Sequence, residues 1–246
     1  MLITKEDLIK NGIDPSLYDK YDMEAIGESA DKIKNGQLSI LLGHITQRFE
    51  REINYRTYAG KARNKLNEDL EQISKLLDSI IELCSSKKSV FASGLSQEET
   101  ERILVGTNII YNKISALKKD AYEHVGNMYT YVRELSEIQF IYSRKLYNAG
   151  MLNAAMAVID PNDTRDNITN ASTIAFDMLN DLTEFINDLT DRAVISEEAV
   201  DIKLPDMLGG IMNALDFNND GASLNTKNAI ELIYQTKQMI KDVIER

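Results

Sequence analysis

The chain has 246 residues and a formal net charge of -11, from 39 acidic and 28 basic side chains. This acidic balance disfavours a nucleic-acid-binding protein, because such proteins neutralise phosphates with lysine and arginine. Cys84 is the single cysteine, so no disulfide can form within the chain, and we expect a cytoplasmic protein or one within an intracellularly assembled particle. The first residues do not resemble a signal peptide and no apolar run is long enough to cross a membrane, so we expect neither secretion by that route nor a membrane span.

Residues 1–36 predict a small helical element at the N-terminus. Asn11-Gly12 and Asn35-Gly36 are typical of helix C-termini, and Asp14-Pro15 is typical of a turn between two short helices. A segment of this size cannot bury a core of its own. We therefore expect it to dock on the rest of the chain or on a partner.

Residues 37–84 predict the first long helix, and its second half carries a regular apolar row. The row repeats at alternating steps of four and three residues and consists of Leu66, Leu70, Ile73, Leu77 and Ile80, with Cys84 next in line. Such heptad spacing is typical of helices that wrap around one another. For Cys84, this position favours a small core side chain over a reactive nucleophile.

Residues 96–150 predict a second long helix, which opens with the capping-box pair Ser96 and Glu99. Its apolar row includes Met128, Val132 and Leu135. Two successive steps of four residues around Met128 form a stutter, which locally unwinds a supercoil. Residues 85–95 predict a turn, so we expect the two long helices to form an antiparallel hairpin.

A third long helix is predicted from about residue 164 to residue 193 and is expected to end at Val194-Ile195-Ser196. Leu204-Pro205-Asp206 predicts the start of a short apolar helix, and a last helix follows from about residue 225. The predicted fold class is therefore all-α: an elongated helical bundle built on a long antiparallel, coiled-coil-like hairpin and a third long helix, with short helices at both ends. We expect three parts: a small docking element at 1–36, a long-helix bundle at 37–195 and a short-helix segment at 196–246.

Asp216, Asn218, Asp220 and Gly221 match the first half of an EF-hand calcium loop. They would supply three oxygen ligands and the turn glycine. The twelfth position of the loop is Lys227, which cannot provide the closing bidentate carboxylate. We therefore favour an Asx-rich turn between two helices, with calcium binding as the alternative, and we expect no other cofactor.

The other residues that could carry chemistry do not form a recognisable site. His44 and His124 are the only histidines, and neither has metal-binding spacing on its helix. His124 falls on the apolar row of the second long helix, which predicts a buried histidine satisfied by a neighbour, with a pH-sensitive interface group as the alternative. The sequence contains no phosphate loop and no nucleophile motif, so we expect no catalytic residue and no enzyme.

The predicted apolar rows offer more apolar surface than a three-helix core needs. This excess favours association with other protein subunits or with further copies of the chain. We expect a non-enzymatic structural or assembly protein, a helical subunit of a larger particle. The expected interface residues are Leu66, Leu70, Ile73, Leu77, Ile80, Met128, Val132 and Leu135. The most concrete version is a virus or phage virion component, such as a capsid, neck, tail or baseplate protein, although no residue motif points to it. The alternative is a helical regulatory adaptor that responds to calcium through the 216–221 loop.

Overall fold

A computed structural model of the chain describes residues 36–85, 95–156, 164–215 and 225–246. This part of the chain is helical and contains no strand, so the predicted all-α class is confirmed. The helices are α1 (Gly36–Ser85), α2 (Gln97–Met156), α3 (Thr164–Glu197), α4 (Leu204–Leu215) and α5 (Thr226–Ile244), with a π-helical segment (Glu198–Lys203) between α3 and α4. Within these ranges, no helix combines the length and the apolar character that a membrane span requires.

The predicted capping box starts α2. The Ser96 hydroxyl accepts a 3.2 Å hydrogen bond from the backbone N–H of Glu99, and the Glu99 carboxylate accepts a 2.9 Å hydrogen bond from the N–H of Ser96. Two backbone donors that the helix itself cannot satisfy are thereby paired. The helix then continues through Gly106 and Gly126 without a break.

The chain divides into two compact units, and each unit takes separate pieces of the sequence. Unit 1 consists of Met1–Ala62 and Asn127–Asp191, and unit 2 consists of Arg63–Gly126 and Arg192–Arg246. The predicted divisions of the chain near residues 36 and 195 stay predictions.

In unit 2, α1 and α2 contact each other in opposite residue order. Asp69 of α1 faces His124 of α2, whereas Leu83, further along α1, lies against Gly106, which comes earlier in α2. This order is the one that antiparallel neighbours give. The all-α bundle is thus established, while the coiled-coil geometry of the predicted hairpin stays a prediction.

The predicted end of the third helix at Val194-Ile195-Ser196 is wrong. The helix runs to Glu197, and the π segment carries the helical path on to Leu204, where α4 begins as predicted. The N–H of Leu204 donates to the carbonyl oxygen of Ala199, five residues back, as in a π-helix. The physical reason is that residues 194–204 contain neither glycine nor proline, so nothing interrupts the helical path there. The π segment directly precedes Pro205, whose ring would clash with the carbonyl four residues earlier in a regular α-helix.

The two short helices of unit 2 bury apolar side chains at helical spacing. The buried residues of α4 are Leu204, Leu208, Ile211 and Leu215, and those of α5 are Ala229, Ile233, Thr236, Ile240 and Val243. Asn225 joins the two helices, because its N–H donates to the carbonyl oxygen of Ala214 and its side chain caps α5 by accepting from the N–H of Asn228.

Candidate functional site

The predicted interface row of α1 is buried inside its own chain. Leu66, Leu70, Ile73, Leu77 and Ile80 are each at most 1% exposed, and Met128 and Leu135 of α2 are fully buried, with Val132 partly buried. These side chains therefore form core within their own unit. Their use by an outside partner stays a prediction, and it would require the helices to separate first.

A buried charged pair lies in unit 1, on consecutive turns of α1. The guanidinium of Arg56 donates to the carboxylate of Glu52 through Nη2 at 2.7 Å and through Nε at 2.9 Å. The Tyr142 side chain of α2 interacts with the same carboxylate, and the Arg56 guanidinium lies 4.7 Å from the ring centre of Phe185 of α3. One pair of charges thus contacts both neighbouring helices.

Burial dominates the electrostatics of this pair. It raises the pKa of the Glu52 carboxyl, while the charge and hydrogen bonds of Arg56 act in the opposite direction. Taking two charges out of water costs several kcal/mol per ion, and this cost is recovered only when the geometry is good and further hydrogen bonds are made. The pair is made within α1, so only its contacts with Tyr142 and Phe185 connect it to α2 and α3.

A cluster of three tyrosines occupies another part of unit 1. The ring centres of Tyr55, Tyr58 and Tyr131 lie 5.9–6.5 Å apart, with one edge-on pair and two tilted pairs. These are favourable aromatic geometries. Burial is the main cause that raises the pKa of the Tyr131 hydroxyl.

Charged side chains surround this aromatic cluster. Arg51 donates a 2.8 Å hydrogen bond to Glu134, and its guanidinium lies 5.3 Å from the ring centre of Tyr55. Hydrogen bonds from Tyr55 and Arg51 lower the pKa of the Glu134 carboxyl. The three rings and the neighbouring cations fill the cluster. We therefore interpret it as a packing contact between helices.

Arg192 is the central polar residue of unit 2, and it is 4% exposed. One guanidinium nitrogen, Nη2, donates to Asn67 Oδ1 of α1 at 2.6 Å, and the other, Nη1, donates to the carbonyl oxygen of Val243 in the last turn of α5. The last carbonyls of a helix have no partner within the helix and carry partial negative charge, so a cation there is favourable. Arg192 therefore connects the C-terminal part of α3 to α1 and α5 through hydrogen bonds.

His124 lies opposite Asp69 in unit 2, with 3.5 Å between Nε2 and Oδ2. Both side chains are largely buried, as predicted for His124, and the 3.5 Å separation is that of an ion pair and not of a hydrogen bond. Burial raises the pKa of the Asp69 carboxyl, and the nearby charges of Asp120 and Glu68 add to that rise. The alternative role as a pH-sensitive interface group stays a prediction.

Cys84 is half-buried at the end of α1, and burial raises the pKa of its thiol to about 11. A nucleophilic cysteine has a lowered pKa instead. This environment is that of a packing residue, in line with the prediction from its position on the α1 row.

A groove of about 550 Å³ lies between α1 and α5 in unit 2. Two of its lysines are already engaged, because Lys237 is paired with Asp78, and Lys241 lies 3.6 Å from Glu245. Two of the three lysines that line the groove are therefore matched by neighbouring carboxylates, so we do not interpret it as a site for a charged ligand.

Several large apolar side chains are exposed on the outside of the described helices. In unit 1 they are Tyr58, Phe140 and Phe176, and in unit 2 they are Val105, Ile109, Tyr122, Val194, Ile202 and Tyr234. Val105 and Ile109 are each 53% exposed and lie four residues apart, on consecutive turns of α2. They form one apolar patch, which we call the α2 patch.

Glu52, Arg56, Arg192 and the α2 patch are not among the residues predicted from the sequence. A usable signal exists, because these charged residues fall on the spacing of apolar rows. Arg192 lies three residues after Leu189, and Arg56 and Glu52 fall on the three-and-four spacing continued back from Leu66. No comparable signal exists for Val105 and Ile109, since apolar residues on a helix usually predict its buried face.

The candidate calcium ligands Asp216, Asn218 and Asp220 lie outside the described residues, so calcium binding stays a prediction. Among the residues that the structure describes, no group of three or more histidine, cysteine, aspartate or glutamate side chains is arranged to hold a metal ion. No protein-family model matches the sequence. No curated protein and no solved structure matches it significantly either.

Proposed function

We propose that the chain is a non-enzymatic helical subunit of a larger protein assembly and that it contacts a partner subunit through the α2 patch. The observation that carries this proposal is the exposure of Val105 and Ile109 on consecutive turns of one helix. A single exposed apolar side chain needs no explanation, whereas adjacent ones make a small apolar surface that a partner could cover.

The burial of the α1 row supports the choice of the outer surface for docking. Leu70 and Leu77 are already covered within unit 2, so they are unavailable to a partner while the bundle is intact. The α2 patch can be covered without any change in the helices. The single cysteine fits an intracellular setting for this proposal, and a virion component is one concrete version to which no residue motif points.

The proposed function can be tested by sedimentation of the tagged chain from native extract. The tagged chain should sediment with partner subunits at a size well above that of the free chain, and mass spectrometry should find those partners in fixed stoichiometry. Replacing Val105 and Ile109 by lysine should release the chain as a free species. Gln72→Lys together with Asn213→Lys is the matched control, because both positions are exposed in unit 2 and the change in charge is the same. If the control variant were released from the partner subunits to the same extent, the proposal would be contradicted.

A further inference from the structure

A second exposed row follows the outside of unit 2 from the end of α3 through the π segment into α4. It consists of Val194, Glu198, Ile202 and Asp206, which are all exposed and are spaced by four residues. Val194 is 50% exposed and Ile202 is 58% exposed. Apolar and acidic side chains thus alternate along this row, which we call the acidic row.

The π segment keeps the acidic row in line. In a regular α-helix with 3.6 residues per turn, residues four apart drift steadily around the axis, so Asp206 would lie about a third of a turn away from Val194. A π turn holds more residues than an α turn. The six π residues therefore rotate Ile202 and Asp206 back towards the line of Val194 and Glu198.

The charge around the acidic row has one sign. Between residues 193 and 206 there are four acids and a single base, Lys203. The Nζ of Lys203 lies 2.9 Å from the Glu198 carboxylate, and Asp201 and Asp206 are exposed nearby. Such a surface repels the phosphates of nucleic acids and of anionic membranes, and it attracts a positively charged protein segment.

We propose that the acidic row binds a basic amphipathic helix of a partner protein. Its apolar side chains would cover Val194 and Ile202, and its lysines or arginines would pair with Glu198, Asp201 and Asp206. Helices dock in this way through anchors at three- and four-residue spacing. This inference rests on the proposed function as an assembly subunit and specifies the chemistry of one partner at a second surface.

A synthetic peptide tests the inference on the full chain. The probe is a fluorescent leucine–lysine amphipathic peptide of about 18 residues, long enough to be helical. A leucine–glutamate peptide with the same apolar pattern is the charge control. Fluorescence anisotropy should show binding of the lysine peptide, weakening with salt, and no binding of the glutamate peptide.

Variants decide where the peptide binds. Glu198→Lys with Asp206→Lys, and separately Val194→Ser with Ile202→Ser, should each weaken binding by about tenfold or more, equal to about 1.4 kcal/mol. Glu82→Lys with Glu231→Lys changes the net charge as the first pair does, at exposed positions outside the row, and should leave the affinity within about twofold. Equal losses in the row variant and this control, or no binding of the peptide to the wild-type chain, would overturn the inference. Because none of these positions belongs to the α2 patch, that result would leave the sedimentation test of the proposed function intact.

Discussion

Arg192 of α3 donates a 2.6 Å hydrogen bond to Asn67 of α1, which lies 125 positions earlier in the sequence. The same guanidinium reaches the last turn of α5 at the carbonyl oxygen of Val243. Three helices that are distant in sequence therefore meet at one buried cation, and this contact organises unit 2.

Replacing Arg192 by methionine should lower the free energy of unfolding by about 2–4 kcal/mol, because Asn67 Oδ1 and the Val243 carbonyl both lose a donor and a buried side chain is shortened. Arg192→Lys should fail to restore it, since an ammonium cannot present two donors in a fixed fork. Urea denaturation measures the free energy of unfolding of both variants. The control is Arg102→Met at an exposed position of unit 2, which should stay within about 0.5 kcal/mol of the wild type. A loss at Arg192 no larger than at Arg102 would argue against this role.

The buried pair in unit 1 makes a prediction about coupling. Glu52→Leu should cost about 3–5 kcal/mol, because it leaves the Arg56 charge buried without its carboxylate. Arg56→Met should be similarly costly, whereas the double variant should be much less destabilised than the sum of the two. A double-mutant cycle by urea denaturation measures this coupling. Simple additivity would show that the two side chains do not act as a pair.

The glycines of α2 provide a matched comparison in unit 2. A Cβ atom at Gly126 would meet nothing within 4 Å, so Gly126→Ala should raise the free energy of unfolding by about 1 kcal/mol through helix propensity alone. At Gly106 the Cβ would lie 2.6 Å from Cδ1 of Leu83, so Leu83 has to rotate away and part of that gain is lost. Thermal denaturation should rank the Gly126 variant above the Gly106 variant. Equal gains would contradict the close approach of α1 and α2 at this point.

The thiol of Cys84 should react slowly in the folded chain. Burial raises its pKa to about 11, so the thiol stays protonated at neutral pH, and only the thiolate is nucleophilic. Alkylation by iodoacetamide at about pH 8 should be much slower in the folded chain than in urea, where an ordinary pKa near 8.5 applies. In the folded chain the rate should keep rising as the pH approaches about 11. Equal rates in the two states would show that Cys84 is not shielded.

The sequence predicts the apolar core well and the polar contacts poorly. The row from Leu66 to Ile80 is buried as its spacing indicates, because heptad spacing depends only on residues close in the chain. The contact between Asn67 and Arg192 depends on how helices far apart in sequence meet, which local spacing does not encode. Pro205 illustrates a third case: it marks the start of α4 correctly, but the residues before it form a π segment and not the break that a proline usually predicts.

The proposed docking surface can be tested most directly with a photo-crosslinking amino acid placed at Ile109. The chain carrying it is irradiated in native extract, with Gln72 as the exposed control position on α1 and Leu77 as the buried one. The account predicts an intermolecular product from Ile109 to a protein subunit, and none above background from Gln72 or Leu77. Crosslinked products from Leu77 with none from Ile109 would contradict the proposed docking surface. They would favour docking through the apolar row of α1.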